Sequence, residues 1–237
     1  MNEISIVTFK WRKPNSGYKL KSPVEYSAEH VNTLYNSVKR NSTVPFNFIC
    51  VTDDARGLNQ EIQVIELWDK YKSLGGCYNR LYIFSKEIKD ILGERFICID
   101  LDCVIVSNID SILTRKEDFI INKFISKSGH NQIYNGGLIM MNAGSRQQVW
   151  EDFDPVKSLI LLDKLRNEKN LVGSDQAWIQ IVLGEKECMF TESDGVYDYS
   201  FMPDRKLPDN AKMIFFPGKV DPSQEKNKIE WIVEHWR

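Results

Sequence analysis

Phe96-Ile97-Cys98-Ile99-Asp100-Leu101-Asp102-Cys103-Val104 is the stretch on which both fold and chemistry turn. Four consecutive apolar residues, Phe96 to Ile99, read as a short strand buried on both faces, because a half-exposed strand alternates polar and apolar positions. The strand runs directly into two carboxylates separated by one leucine. In extended backbone, residues i and i+2 point the same way, so Asp100 and Asp102 are expected to converge beyond the strand's carboxyl end. Two like charges that close repel unless something positive lies between them, and a hard divalent cation with oxygen ligands is the natural partner. The bland alternative is an acidic loop that merely ends the strand.

Upstream of this segment, 4–9, 46–52 and 62–67 read as strands, and 27–40 and 78–92 as helices with apolar residues at helical spacing. Strands alternating with helices predict an α/β domain of βαβ type, with ligands at the carboxyl ends of the strands. Downstream the pattern is less regular: strands at 138–142 and 213–216, and helices at 146–153, 156–168, 175–183 and 229–236. No linker separates the halves, so a single domain over 1–237 is expected, with a nucleotide-binding half (1–105) and a sugar and acceptor half (106–237).

Composition narrows the function classes. The 237 residues are 42% hydrophobic and 27% charged, which excludes a disordered or collagen-like chain. Lys and Arg number 31 against 33 Asp and Glu, a formal charge of −2, so the chain as a whole is no polycation built to coat nucleic acid. One local stretch is basic: Lys10, Arg12, Lys13, Lys19 and Lys21, interleaved with Trp11 and Tyr18 and free of acidic residues. It is expected to border the nucleotide pocket and to grip a diphosphate or an anionic acceptor, or else to be a solvated loop. No apolar run is long enough to span a bilayer, and no signal-peptide pattern precedes the first strand. The five cysteines lack CxxC spacing, so a reduced, cytoplasmic protein without structural zinc is expected.

Asp100 to Val104 also satisfies the DxDx[VT] string of haloacid-dehalogenase-type phosphatases, in which the first Asp is a nucleophile. That motif normally opens its domain, whereas here a complete βαβ layout comes first. Other short motifs point elsewhere: Phe9-Lys10-Trp11, Tyr78-Asn79-Arg80-Leu81, Tyr134-Asn135-Gly136-Gly137-Leu138, Gly173-Ser174-Asp175-Gln176 and Phe215-Phe216-Pro217-Gly218-Lys219. In these, and in their order along nearly the whole chain, the sequence resembles a family of small GT-A-fold glycosyltransferases from bacteria and phages, related to glycosyltransferase family eight.

The resemblance implies a GT-A fold, a Rossmann-like domain with a central mixed, mostly parallel sheet flanked by helices. It also implies a transferase moving a sugar from a nucleotide-diphosphate donor, a UDP-sugar by preference, to a hydroxyl acceptor such as a glycan or a hydroxylated base in DNA. Thr8, Phe9 and Lys10 would line the base and ribose pocket with Asp53 near the nucleotide, and Arg80 would face the donor, as a bidentate partner for a phosphate. Asp100 would bind ribose and metal and Asp102 the metal, Mn2+ or Mg2+. Asn135 and Gly136 would touch the donor sugar. Asp175 and Gln176 would face it as catalytic residues, Asp175 orienting the acceptor or acting as a base. Lys219 would grip the leaving diphosphate. One departure stands out: where the family carries a metal-binding His before the tail glycine, this chain has Pro217. Asp221 and His235 are candidate replacements, and a binding module that has lost catalysis is the third reading. His30 and His130 fall in no motif, and Trp178 is read as core.

Overall fold

The computed structural model describes residues 3–11, 25–70, 73–126, 129–218 and 220–237. Ten strands occur among them: β1 (Ile4–Lys10), β2 (Phe46–Thr52), β3 (Gln63–Glu66), β4 (Arg95–Ile99), β5 (Cys103–Ile105), β6 (Phe119–Lys123), β7 (Tyr134–Asn142), β8 (Cys188–Phe190), β9 (Val196–Asp198) and β10 (Met213–Phe215). The helices are α1 (Ala28–Asn41), α2 (Ile88–Leu92), α3 (Asp110–Leu113), α4 (Gln148–Glu151), α5 (Lys157–Lys169), α6 (Asp175–Leu183), α7 (Pro222–Glu225) and α8 (Glu230–His235), with short 3-10 turns between them.

Seven strands form one sheet in the order β3-β2-β1-β4-β7-β6-β8. Neighbours run parallel from β3 to β4 and again between β6 and β8, while β7 is antiparallel to both β4 and β6. Strands from both halves of the sequence therefore share one sheet. The apolar run in β4 has the expected cause. Phe96 and Cys98 join a core on one face, beneath the 3-10 helix Tyr78–Phe84 and α6, and Ile97 and Ile99 join the core on the other, beneath α1. A second sheet, β5-β10-β9, packs its own cluster of Val104, Tyr199, Ile214, Phe216 and Trp236.

The expected helix over 78–92 is corrected. The chain forms the 3-10 helix Tyr78–Phe84, breaks at Ser85, whose ψ of 156° is extended, and resumes as α2. Six of the seven residues in the first segment are buried, so no single apolar stripe governs it; the tighter turn lets nearly all of them reach the interior. Strands β5, β6, β8 and β9 escaped the sequence reading: three are only three residues long, and β6 ends in an irregular register at Ile121/Asn122.

Candidate functional site

The Asp100 to Asp102 turn is a seam between the two sheets. The Asp100 N–H donates to the Gly137 carbonyl at 2.8 Å, in the first half of β7, and the Asp102 carbonyl accepts from the Phe216 N–H at 2.9 Å, just past β10. The backbone is a turn at Leu101 and Asp102, not the extended geometry expected, and Leu101 is buried. The two carboxylates meet because the turn is pinned from both sides. Together with Asp221 they line a cavity of about 320 Å³ that also takes in Phe9, Arg80 and Gly173. A second cavity of about 350 Å³ is lined by Lys10, Asp53, Trp11 and Tyr26, and the last two belong to both.

Asp100 and Asp102 differ in how their charge is balanced. Arg80 places one guanidinium nitrogen on Asp100 and directs Nε and Nη2 to Asp175 Oδ2 at 2.8 and 2.6 Å. Burial lowers the pKa of this guanidinium, but Asp100 and Asp175 outweigh it and hold it well above the usual value. Arg80 therefore does not present an open fork to a phosphate: carboxylates occupy it. The Asp175 side chain is 4% exposed and bound to Arg80, with Ser174 Oγ 3.3 Å from its other oxygen, and it lines neither cavity.

Asp102 has weaker relief, from a backbone hydrogen bond and the charge of Arg80. Burial first, then the charges of Asp100 and Asp221, push its pKa well above the ordinary carboxylate value. Asp221 stays ionised: burial raises its pKa, but hydrogen bonds from His30 and Ser223 win and bring it below the usual range. The His30 tautomer follows from its partners. The Ser27 N–H donates to Nδ1 at 3.2 Å, so the proton sits on Nε2, which donates to Asp221 Oδ1 at 3.4 Å. Tyr26 faces the same negative field, its phenol pKa raised by burial and by Asp102, Asp100 and Asp221.

The donor set is all carboxylate oxygen, in excess of the one buried guanidinium beside it, and this suits a hard divalent cation. Among the described residues no group of three His, Cys, Asp or Glu side chains closes on a single ion. Asp100 and Asp102 would therefore share such an ion with water or a ligand's oxygens.

The other predicted residues separate. Thr8 is wholly buried, lines neither cavity, and its hydroxyl has no hydrogen-bond partner. Asn135 turns its side chain onto its own strand, accepting from the Gly137 N–H at 2.7 Å. Gly136 lies over the ion pair: a Cβ there would stand 2.6 Å from an Arg80 nitrogen. Gln176 accepts from the Gly136 N–H at 3.4 Å and donates to the Val172 carbonyl at 3.2 Å. Gly173, at φ +85°, leaves room for it, since a Cβ would come within 2.7 Å of the Gln176 amide. Lys219 lies outside the described residues, as does most of the basic stretch after Trp11. His235 pairs with Glu234 at 3.8 Å and lines neither cavity, and Trp178 is buried with its indole N–H on the Val149 carbonyl. Tyr26 and His30 were missed because each acts as a single residue with no local pattern.

No protein-family model and no curated protein sequence matches this chain. Solved structures do. The galactosyltransferase LgtC in complex with donor and acceptor sugar analogs superposes with a TM-score of 0.59 at 12% identity, over 92% of this chain and 89% of that one. The glycosyltransferase GlyE of Streptococcus pneumoniae TIGR4 gives 0.59 at 12% identity over 98% of this chain, which spans 62% of GlyE. An active-site mutant of LgtC, with glutamine changed to glutamate, gives 0.57 at 10% identity over 98% of this chain and 93% of that one. No helix among the described residues is long and apolar enough to cross a membrane. With its seven-stranded mixed sheet, acidic turn after β4 and flanking helices, the chain has the GT-A fold of these glycosyltransferases.

Proposed function

We propose that this protein is a metal-dependent glycosyltransferase that moves a sugar from a nucleotide-diphosphate donor, a UDP-sugar by preference, to a hydroxyl acceptor. The observation that carries the reading is the pair of adjoining cavities. One has aromatic walls from Trp11 and Tyr26 and polar groups from Lys10 and Asp53, suited to a base and ribose; the other holds Asp100 and the under-compensated Asp102. A donor laid across both would put its diphosphate at the acidic corner, where carboxylates repel it without an intervening cation.

Mn2+ or Mg2+ held by Asp100 and Asp102 would supply the positive charge that stabilises the departing diphosphate. Arg80 steers Asp100 and, through Asp175, ties it to the N-terminus of α6. Lys219, in the tail beyond β10, is assigned a second contact to the diphosphate. Gly136 and Gln176 form the floor under the donor sugar, with Asn135 beside them. With Asp175 bound to Arg80, no dedicated base is assigned, which favours retention of configuration with the leaving oxygen taking the acceptor's proton. Asp100 is ion-paired with Arg80, which draws on the charge a phosphatase nucleophile would need. The absence of a three-residue metal group among the described residues favours one second reading, a nucleotide-sugar-binding module without turnover.

Slow hydrolysis of UDP-sugars, assayed with and without manganese, tests the proposal. Manganese-dependent release of UDP, absent in Asp102→Asn, is expected. Nucleotide binding that ignores both the metal and this substitution would favour the silent module.

A further inference from the structure

His30 and Asp221 each spend one atom on local structure and meet through what is left. His30 is the third residue of α1, and the Ser27 N–H just before the helix donates to its Nδ1 at 3.2 Å, a capping contact. Asp221 caps α7 through Oδ1, which accepts from the Ser223 N–H at 2.9 Å and from the Ser223 hydroxyl. The caps account for those atoms only. They do not require His30 Nε2 to donate to Asp221 Oδ1 at 3.4 Å, across 191 residues of sequence, with His30 4% and Asp221 2% exposed. The imidazole is also clamped edge to face by Tyr26 and Trp236, with ring centroids 5.3 and 5.6 Å away.

The second carboxylate oxygen is the informative one. All of these donors fall on Oδ1, and among the described residues Oδ2 has no hydrogen-bond partner. Buried carboxylates ordinarily satisfy both oxygens, because lone pairs left empty away from water cost free energy. Asp221 lines the acidic cavity, so its open oxygen faces the space that Asp100 and Asp102 also line. Its charge adds to the repulsion already acting on Asp102, a burden that folding alone gives no reason to carry.

We propose that His30 is a positioning residue of the acidic corner: it fixes Asp221 so that Oδ2 accepts a hydrogen bond from a water on the cation held by Asp100 and Asp102. The inference rests on the metal-dependent reading and adds the residues that stand behind the ion. Hard divalent cations in such sites keep several waters, and the groups that receive the water protons are themselves oriented by hydrogen bonds. Direct ligation is not required of Asp221, since among the described residues no three such side chains close on a single ion. His30 suits the task because both ring nitrogens are engaged, which fixes its tautomer and its plane.

Manganese binding to the full chain, read from the paramagnetic resonance of the free ion, tests this. His30→Leu is expected to weaken binding about tenfold, as loss of an outer-shell partner does. His30→Gln, whose side-chain amide can donate in place of Nε2–H, should recover most of that loss. Combining His30→Leu with Asp221→Ala should bind no worse than Asp221→Ala alone, because the imidazole then has nothing to hold; a histidine that only packs would add its own loss. Both substitutions remove a buried side chain, so a readout on the unsubstituted protein accompanies them. In proton–nitrogen spectra of the imidazoles, the His30 Nε2–H signal, assigned by its loss in His30→Gln, should shift when magnesium is added, while that of His130, outside the acidic cavity, stays still. Manganese binding that is lost in Asp102→Asn yet unchanged in His30→Leu, additive losses in the double variant, or an unmoved His30 signal in a chain that binds manganese would overturn the role of His30 alone. A chain that binds no manganese would overturn the metal-dependent reading with it.

Discussion

Asp100 and Asp102 are two residues apart and live under opposite electrostatic regimes. Asp100 belongs to the better-balanced corner: it has a direct ion pair to a buried guanidinium, which it shares with Asp175. Asp102 belongs to the poorer-balanced one, where Asp221 adds a further negative charge and Tyr26 only a phenol. The difference shows how a fold divides labour between like residues. The balanced corner holds geometry, and the unbalanced one stores an electrostatic deficit that an external cation relieves.

The sharpest way to break this contrast is Asp102→Asn. Manganese-dependent turnover should fall by at least about a hundredfold, as expected when a metal ligand is lost, while circular dichroism stays unchanged. The same substitution should raise the melting temperature of the metal-free protein. Because the folded state raises the Asp102 pKa, the folded chain holds that proton more tightly than the unfolded one. Its contribution is therefore full below the unfolded Asp value, about 4, and is lost as pH rises through the higher folded value. A metal-free melting series from pH 4 to 8 should show the unsubstituted protein losing stability relative to Asp102→Asn as pH rises. Parallel curves would place Asp102 in no deficit at all.

The balanced corner should respond as structure. Arg80→Met strands Asp175 in the interior and is expected to cost about 3–5 kcal/mol in urea denaturation. Replacing Asp175 with Leu in the same chain should recover part of that loss, because an unpaired buried charge costs more than an absent pair. An Arg80→Met protein of ordinary stability but poor turnover would instead make Arg80 a ligand contact.

Smaller effects are expected at the edge of the deficit. Asp221→Asn removes one charge from the acidic corner and should weaken manganese affinity roughly tenfold, read from the paramagnetic resonance of free Mn2+. Tyr26→Phe keeps the aromatic wall and loses only the phenol, so a change of about twofold or less in UDP affinity by calorimetry is expected, against a larger loss in Tyr26→Ala.

Much of this was legible in the chain. The β4 run announced itself because a strand covered on both faces must be apolar at every position, and the acidic turn after it followed from two letters. Long-range pairing was not legible. Nothing in Tyr78-Asn79-Arg80-Leu81 says that the arginine's fork is taken by Asp175, 95 residues away, and nothing near His30 points to Asp221, 191 residues away. The carboxylates converge through a turn pinned by β7 and Phe216, although the pattern suggested extended backbone.

The most direct test of the electrostatic deficit is a crystal grown with UDP and manganese and measured at the manganese absorption edge. An anomalous peak is expected in contact with Asp102 and Asp100, with diphosphate oxygens completing its coordination and the Arg80–Asp175 pair intact beside it. An ordered UDP molecule with no anomalous peak at that turn, or with the metal bound elsewhere, would contradict it.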